Sequence, residues 1–151
     1  MDHWLEEAGK YYRLYAEDES YLIEINAEEA RNRENKLGDW LNRDLRIPDL
    51  SRQGLTFLGA RFVALEANPA VPGGARPAIL LTYNVPGGRP LALCIVPYGQ
   101  ATQEARGTAR HADMNQLYWI SSGYGHVLQG WADEGLLREL AAEIELQLGD
   151  I

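Results

Sequence analysis

The side chains of this sequence that could do acid–base, nucleophilic or metal chemistry are few and scattered. His3, His111 and His126 lie far apart and show no HxxH or HxxxH spacing. Cys94 is the single cysteine, so no Cys/His pattern has zinc-site spacing and no intramolecular disulfide can form. Cys94 sits in the apolar run LALCIVP, where a buried, unreactive thiol is expected. Asp49 and Ser51 look like half of a nucleophilic dyad, but these side chain types at this spacing hydrogen-bond the backbone of their own turn, and that is the expectation here. The carboxylate pairs Glu6–Glu7, Glu28–Glu29 and Glu143/Glu145 fall on helix faces expected to be solvated. The segments GGARP and PGGRP resemble phosphate-cradling loops only in composition; neither opens a helix, and both read as turns. There is no G-x-S-x-G elbow and no P-loop. The expectation is a non-enzymatic chain that holds no cofactor, and no metal at His3, Cys94, His111 or His126.

One cluster keeps a second class of function in view. Tyr118, Trp119, Tyr124 and His126 are close in sequence across a tight turn, and they suit a small ligand-binding or enzymatic site in an α+β domain. Against it stands the plainer reading of His126 as a half-exposed strand residue packed on aromatics, with no carboxylate beside it in sequence.

Composition narrows the partners. The chain has 151 residues, 46% hydrophobic and 24% charged, which suits one domain with one sizeable core. Its 22 acidic against 14 basic side chains give a net charge of −8, and the arginines are dispersed. That balance repels phosphate backbones, so no nucleic-acid binding is expected. A solvated acidic surface is the expectation, with a basic protein partner as its other use. No apolar run approaches the ~20 residues that cross a bilayer, and MDHWLEEAGKYY is too charged for a signal peptide.

Periodicity predicts the elements that would position these residues. Helices are expected near 3–17, 27–44 and 133–148, with Asn26 and Asp133 as N-caps for the second and third. Strands are expected at 55–65, 78–85, 91–97, 116–121 and 126–130. SYLIEIN reads as a short strand or an extended connector. Helices, then a meander of strands, then a helix predict a single α+β domain with an antiparallel sheet of about five strands. One sheet face is expected under the helices and the other partly in solvent. LALCIVP is expected to be a central strand, and EANPAVPGGARP a loop. The aromatics Trp4, Tyr11, Tyr15, Trp40, Trp119 and Trp131 are expected to supply much of the core. Residues 97–115 are long and polar, and they predict a loop. Within them, 99–113 is expected to be the most mobile internal segment and the first cut in limited proteolysis, with a regulatory role or none.

The stretch WLNRDLRIPDLSRQGLTFLGARFV is more specific than a strand requires. Its Trp40, Leu41, Pro48, Asp49, Leu50, Ser51, Gly54, Gly59 and Arg61 resemble a segment of the extracytoplasmic region of transmembrane anti-sigma factors. In that family a Trp-Leu helix end, a Pro-Asp-Leu-Ser turn and a glycine lead into an apolar strand with a Gly-Gly-Arg centre. Ala60 stands here where the family has the second glycine of that centre. AILLTYNVPGGRPLALCIVP resembles the family's hairpin, and QLYWISSGYGHVLQGW, with Tyr118 and Trp119, its Tyr-Trp strand and the glycine-containing strand after it. YYRLY resembles the segment that follows the membrane helix. Together the matches cover nearly the whole chain in the family's order.

That resemblance implies an extracytoplasmic, periplasmic sensor domain of a membrane-anchored negative regulator of an extracytoplasmic-function sigma factor. Members carry a cytoplasmic sigma-binding region, often with a His/Cys zinc motif, and one transmembrane helix. Neither is in this chain, which is expected to be the part following the membrane helix, with Met1 not a native start. The sigma factor and the membrane would be engaged through those other regions. A protein partner or a protease outside the cytoplasm would act on this one.

Overall fold

The computed structural model describes residues 3–16, 24–41, 45–66, 75–97, 105–121 and 123–148. Among them the chain forms α1 (His3–Ala16), β1 (Ile25–Asn26), α2 (Ala27–Asn32) and α3 (Glu34–Leu41). A 3₁₀ turn at Ser51–Gln53 follows. Then come β2 (Thr56–Glu66), β3 (Ala75–Asn84), β4 (Leu91–Pro97), β5 (Ala105–His111), β6 (Met114–Ser121), β7 (Tyr124–Gly130) and α4 (Glu134–Leu148). The strands make one antiparallel sheet in the order β1-β2-β3-β4-β7-β6-β5. This is the α+β architecture expected from the order of patterns.

β4 occupies the middle of the sheet, and that position explains its unbroken apolar run. Leu91, Leu93 and Ile95 enter the core on one face, while Ala92, Cys94 and Val96 enter the core on the other. A strand buried on both faces has no polar side to alternate with. Burial pushes the Cys94 thiol up to about 12, so it is neutral and inert as expected.

Both faces are covered, which corrects the expectation of one solvated face. α2, α3 and α4 lie on one side, burying Ala30, Leu37, Leu41, Leu137, Leu140 and Ile144 with Ile79, Leu81 and Leu93. α1 covers the other side with Trp4, Leu5, Ala8 and Tyr12, against Leu80, Val96 and Val127. Its apolar residues recur at helical spacing, and the sheet beneath is equally apolar, so leaving that face wet would expose a large hydrophobic surface.

The helix caps hold. The Asn26 side chain accepts from Glu29 N at 2.9 Å, and Asp133 Oδ1 accepts from Leu136 N at 2.8 Å. The helix expected over 27–44 is instead two short helices that break at Arg33. The sparse apolar residues of its first half give it little face to bury, and Ala30 is its one buried residue. Residues 42–44, like 17 and 20–23, lie outside the described residues. β2 ends at Glu66 and β3 begins at Ala75, and the loop expected between them falls mostly outside the described residues.

The largest correction is in the stretch expected to be a loop. Residues 105–111 form β5, paired with β6 from Ala105↔Ile120 to His111↔Met114. Its inward positions are Ala105, Gly107 and Ala109, and its outward ones Arg106, Thr108 and Arg110. Small residues alternating with polar ones satisfy the period of a strand without supplying an apolar signal. At a sheet edge they need bury little. Residues 98–104, where part of the mobility expectation falls, lie outside the described residues.

One aromatic expectation also changes. Trp40 is 43% exposed rather than core, because it lies edge-on against Phe62 at the sheet margin. The Tyr15 side chain is outside the described residues; Trp4 and Trp119 are buried. Tyr11 and Trp131 are half-buried.

Candidate functional site

The segment Leu45–Leu55 has no regular structure beyond one 3₁₀ turn, yet its backbone polar groups are held by side chains from three directions. Glu34, at the start of α3, accepts from Ile47 N through Oε2 at 2.7 Å. Tyr83, on β3, donates its buried hydroxyl to the Pro48 carbonyl at 2.7 Å. Burial pushes the Tyr83 phenol far above its ordinary range, so it serves only as a neutral donor. Gln147, near the end of α4, binds Asp49 twice. Its Oε1 accepts from Asp49 N at 2.6 Å, and its Nε2 donates to Asp49 O at 2.7 Å. The same Nε2 donates to Glu143 at 2.8 Å.

Local chemistry sets the shape of this junction. Pro48 excludes continuation of a helix and favours extended backbone before it. Asp49 Oδ1 then accepts from Ser51 N at 3.0 Å, as expected for a turn carboxylate. That backbone bond and the Ser51 side chain, with Arg31 and Arg52 nearby, hold the Asp49 carboxyl below its usual value. Leu50, 1% exposed, anchors the turn in the core. Gly54 closes it at φ 84°, a left-handed conformation that favours glycine, donating to Ser51 O at 3.0 Å. Gly59 has φ 152° beside the register shift of β2, where Leu58 is the extra residue between the pairs Phe57↔Tyr83 and Gly59↔Thr82. Arg31 lies over the Phe57 ring, 5.1 Å from its centroid. Trp40 donates Nε1 to Ala78 O at 3.0 Å. Arg61 is half-buried on β2, opposite Leu80.

The motif residues therefore fall into two groups. Pro48, Asp49, Leu50, Ser51 and Gly54 build one junction joining α3, β3 and α4. Trp40, Gly59 and Arg61 lie on the neighbouring β2–β3 margin. Asp49, Arg52, Glu143 and Gln147 also line a small cavity of about 280 Å³. Gln147 binds both the Asp49 main chain and the Glu143 carboxylate there, so the arrangement fastens α4 to the turn.

The aromatic cluster assembles in part: Trp119, Tyr124 and His126 share a face and Tyr118 does not. Trp119 and His126 stack 4.9 Å apart with 8° between their planes, and His126 Nδ1 lies 3.3 Å from Trp119 O. His126 is 3% exposed, which corrects the half-exposed expectation: it faces the sheet side that α2–α4 cover. Tyr124 donates its hydroxyl to Leu41 O at 2.8 Å. Tyr118 points to the opposite face, edge-on to Trp4 at 6.4 Å. Neighbours in a strand alternate faces, so adjacency of Tyr118 and Trp119 in sequence separates them in space.

Sequence reasoning missed the partners that make the junction, Glu34, Tyr83 and Gln147. It also missed a buried polar pair beneath α1. Gln116 Nε2 donates to Leu5 O and to Gln129 Oε1, both at 2.9 Å, and Gln129 Nε2 donates to Ala8 O at 3.0 Å. Glutamines inside strands that otherwise read apolar were the available signal. Among the described residues no group of three or more His, Cys, Asp or Glu side chains could hold a metal, and no helix is long and apolar enough to cross a membrane. The chain matches no protein-family model, and no curated protein or solved structure is detectably similar to it.

Proposed function

We propose that this chain is the extracytoplasmic regulatory domain of a membrane-anchored anti-sigma factor. In that reading it restrains an extracytoplasmic-function sigma factor through a sigma-binding region and a membrane helix elsewhere in the protein. The reading rests on the ordered resemblance of the Pro-Asp-Leu-Ser, hairpin and Tyr-Trp segments. The observation that carries it furthest is the use of the resembling turn. Its main chain is bound by Glu34, Tyr83 and Gln147, from α3, β3 and α4. Residues spent on joints between elements suit a domain that works as a unit presented to a partner. Three elements meeting at one turn also give a partner a place from which to alter several at once.

The test uses the intact gene. Its product is expected in the membrane fraction, with this region digested by protease added outside the cytoplasmic membrane. Deleting residues 3–148 in frame is expected to change transcription from promoters that depend on an extracytoplasmic-function sigma factor. A product found only in the cytosol, or sigma-dependent transcription indifferent to the deletion, overturns the proposal.

A further inference from the structure

The edge of the sheet formed by β5 has the features of a strand-addition site, and its register says which main-chain groups are free. His111 and Met114 pair across a two-residue turn, as do Ser121 and Tyr124 at the other end of β6. Such turns are closed by a hydrogen-bonded pair, and bonding then alternates along the strand. Both turns give the same phase: Met114, Gln116, Tyr118 and Ile120 bond toward β5, and their neighbours toward β7. It follows that His111, Ala109, Gly107 and Ala105 spend their main-chain groups on β6. Arg106, Thr108 and Arg110 turn theirs outward, where the described residues place no further strand.

The side chains of the same three residues are exposed on the face shared with α4. Arg106 donates to Glu145 of α4 at 2.8 Å, and Arg110 has no ion-pair partner among the described residues. Between β5 and α4 lies a groove of about 340 Å³, lined by Arg106, Thr108, Leu117, Arg138, Ala141 and Glu145, among others. A strand added outside β5 would send alternate side chains toward this groove, along a row that presents two arginines and, on β5 itself, no carboxylate.

We propose that β5 binds an extended acidic segment of a partner protein as an additional antiparallel strand. Main-chain bonds to Arg106, Thr108 and Arg110 would hold it. Its acidic side chains would meet Arg106 and Arg110 on the face of the groove, with the residues between them on the opposite face. Charge decides against a second copy of this chain as the occupant. Two β5 strands paired antiparallel about Thr108 set Arg106 opposite the partner copy's Arg110, and Arg110 opposite its Arg106. Like charges directly opposite destabilise a strand pair. Set against the chain's net charge of −8, a row of arginines on this edge recruits carboxylates.

The experiment titrates the full chain into a fluorescein-labelled heptapeptide of alternating glutamate and valine, read by polarisation. Saturable binding is expected below about 1 mM, with amide shifts centred on Arg106, Thr108 and Arg110. Thr108→Pro removes one outward N–H and no bond to β6, and edge strands tolerate proline, so this variant is expected to fold and to lose binding. Thr108→Val keeps the amide and is expected to bind as the parent does. Arg110→Glu is expected to weaken binding about tenfold, and the matching lysine–valine peptide is expected not to bind. Unaltered binding by a folded Thr108→Pro, or no saturation with the acidic peptide, overturns the proposal. So does a dimer in sedimentation that Thr108→Pro dissolves, because the edge would then belong to a second copy.

Discussion

The two faces of the sheet are sealed by different means. Toward α2, α3 and α4 the sheet offers mostly apolar side chains, with the Trp119–His126 stack buried among them, and its tyrosine hydroxyls reach outward. Tyr83 and Tyr124 extend their hydroxyls past the core to the carbonyls of Pro48 and Leu41. Toward α1, polar groups sit within the interface, where Gln116 and Gln129 donate to the helix carbonyls of Leu5 and Ala8. Tyr12 also donates to the Pro90 carbonyl, and Arg13 pairs with Asp113 at 2.6 Å. The Trp131 indole and the Arg13 guanidinium hold the Asp113 carboxyl below its usual range. The first face is held by volume and the second by position. Apolar packing is indifferent to small slides, whereas amide-to-carbonyl bonds fix the register of a helix on a sheet. A single helix covers this face against three on the other, so the α1 face should open first, as a unit.

Leu80 and Leu81 are adjacent in β3, fully buried and on opposite faces, so they give the sharpest test. Leu81→Ala is expected to lower global stability by about 2–5 kcal/mol, seen as one cooperative transition in denaturant. Leu80→Ala is expected to accelerate amide exchange in α1 before the rest of the chain responds. Equal exchange throughout would erase the distinction between the faces.

Single polar deletions come next. Tyr83→Phe leaves the Pro48 carbonyl without its buried donor and is expected to cost about 1–3 kcal/mol. Gln129→Leu is expected to cost a similar amount. Combined with Gln116→Leu it should cost less than the sum, because one apolar pair replaces one bonded pair. Additive losses in the denaturant midpoints would show the two glutamines to be independent.

Gly9 sets two effects against each other. Alanine there gains up to about 1 kcal/mol of helix propensity. Its Cβ, however, would lie 2.6 Å from His111 Cγ and 2.9 Å from His111 Cβ, atoms too near the β5 backbone to swing aside. The clash is expected to win, so Gly9→Ala should loosen α1, and adding His111→Ala, which removes the ring but keeps the Cβ contact, should restore it only in part. A higher melting temperature for Gly9→Ala alone would refute the close docking.

The smallest effect is a dependence on pH at the junction. The folded Asp49 carboxyl titrates below its unfolded value. Its contribution is thus complete above the ordinary aspartate pKa of about 3.9 and lost as pH falls through the lower folded value. Asp49 is exposed, so the shift in melting temperature should be small. Compared with Asp49→Asn, the parent chain is expected to lose slightly more stability between neutral and acidic pH. Parallel curves would remove the carboxylate from the account of the turn.

Local chemistry was legible where bonds are short-range. Asn26 and Asp133 cap helices because a side-chain oxygen reaches an N–H three residues on, and Asp49 binds Ser51 N for the same reason at two residues. The apolar runs and their turns marked β2, β3, β4, β6 and β7. β5 escaped notice because alternation of alanine and glycine with arginine and threonine carries no hydrophobic contrast. The break at Arg33 was hidden because helical pattern alone does not say where burial stops. The motif of the Pro-Asp-Leu-Ser turn was visible in full, but not what it holds.

The sequence by itself determined most of the helical and extended segments, the caps, the turn at Pro48–Gly54 and the apolar run of β4, because each depends on neighbours within a few residues. Only the tertiary structure decided that Gln147 clasps Asp49 across 98 residues and that Gln116 and Gln129 meet beneath α1. It also decided that Tyr118 and Trp119 part to opposite faces, and that β5 ends the sheet among the described residues. Hydrogen bonds and packing between distant segments depend on where the whole chain brings them, and no local pattern encodes that distance.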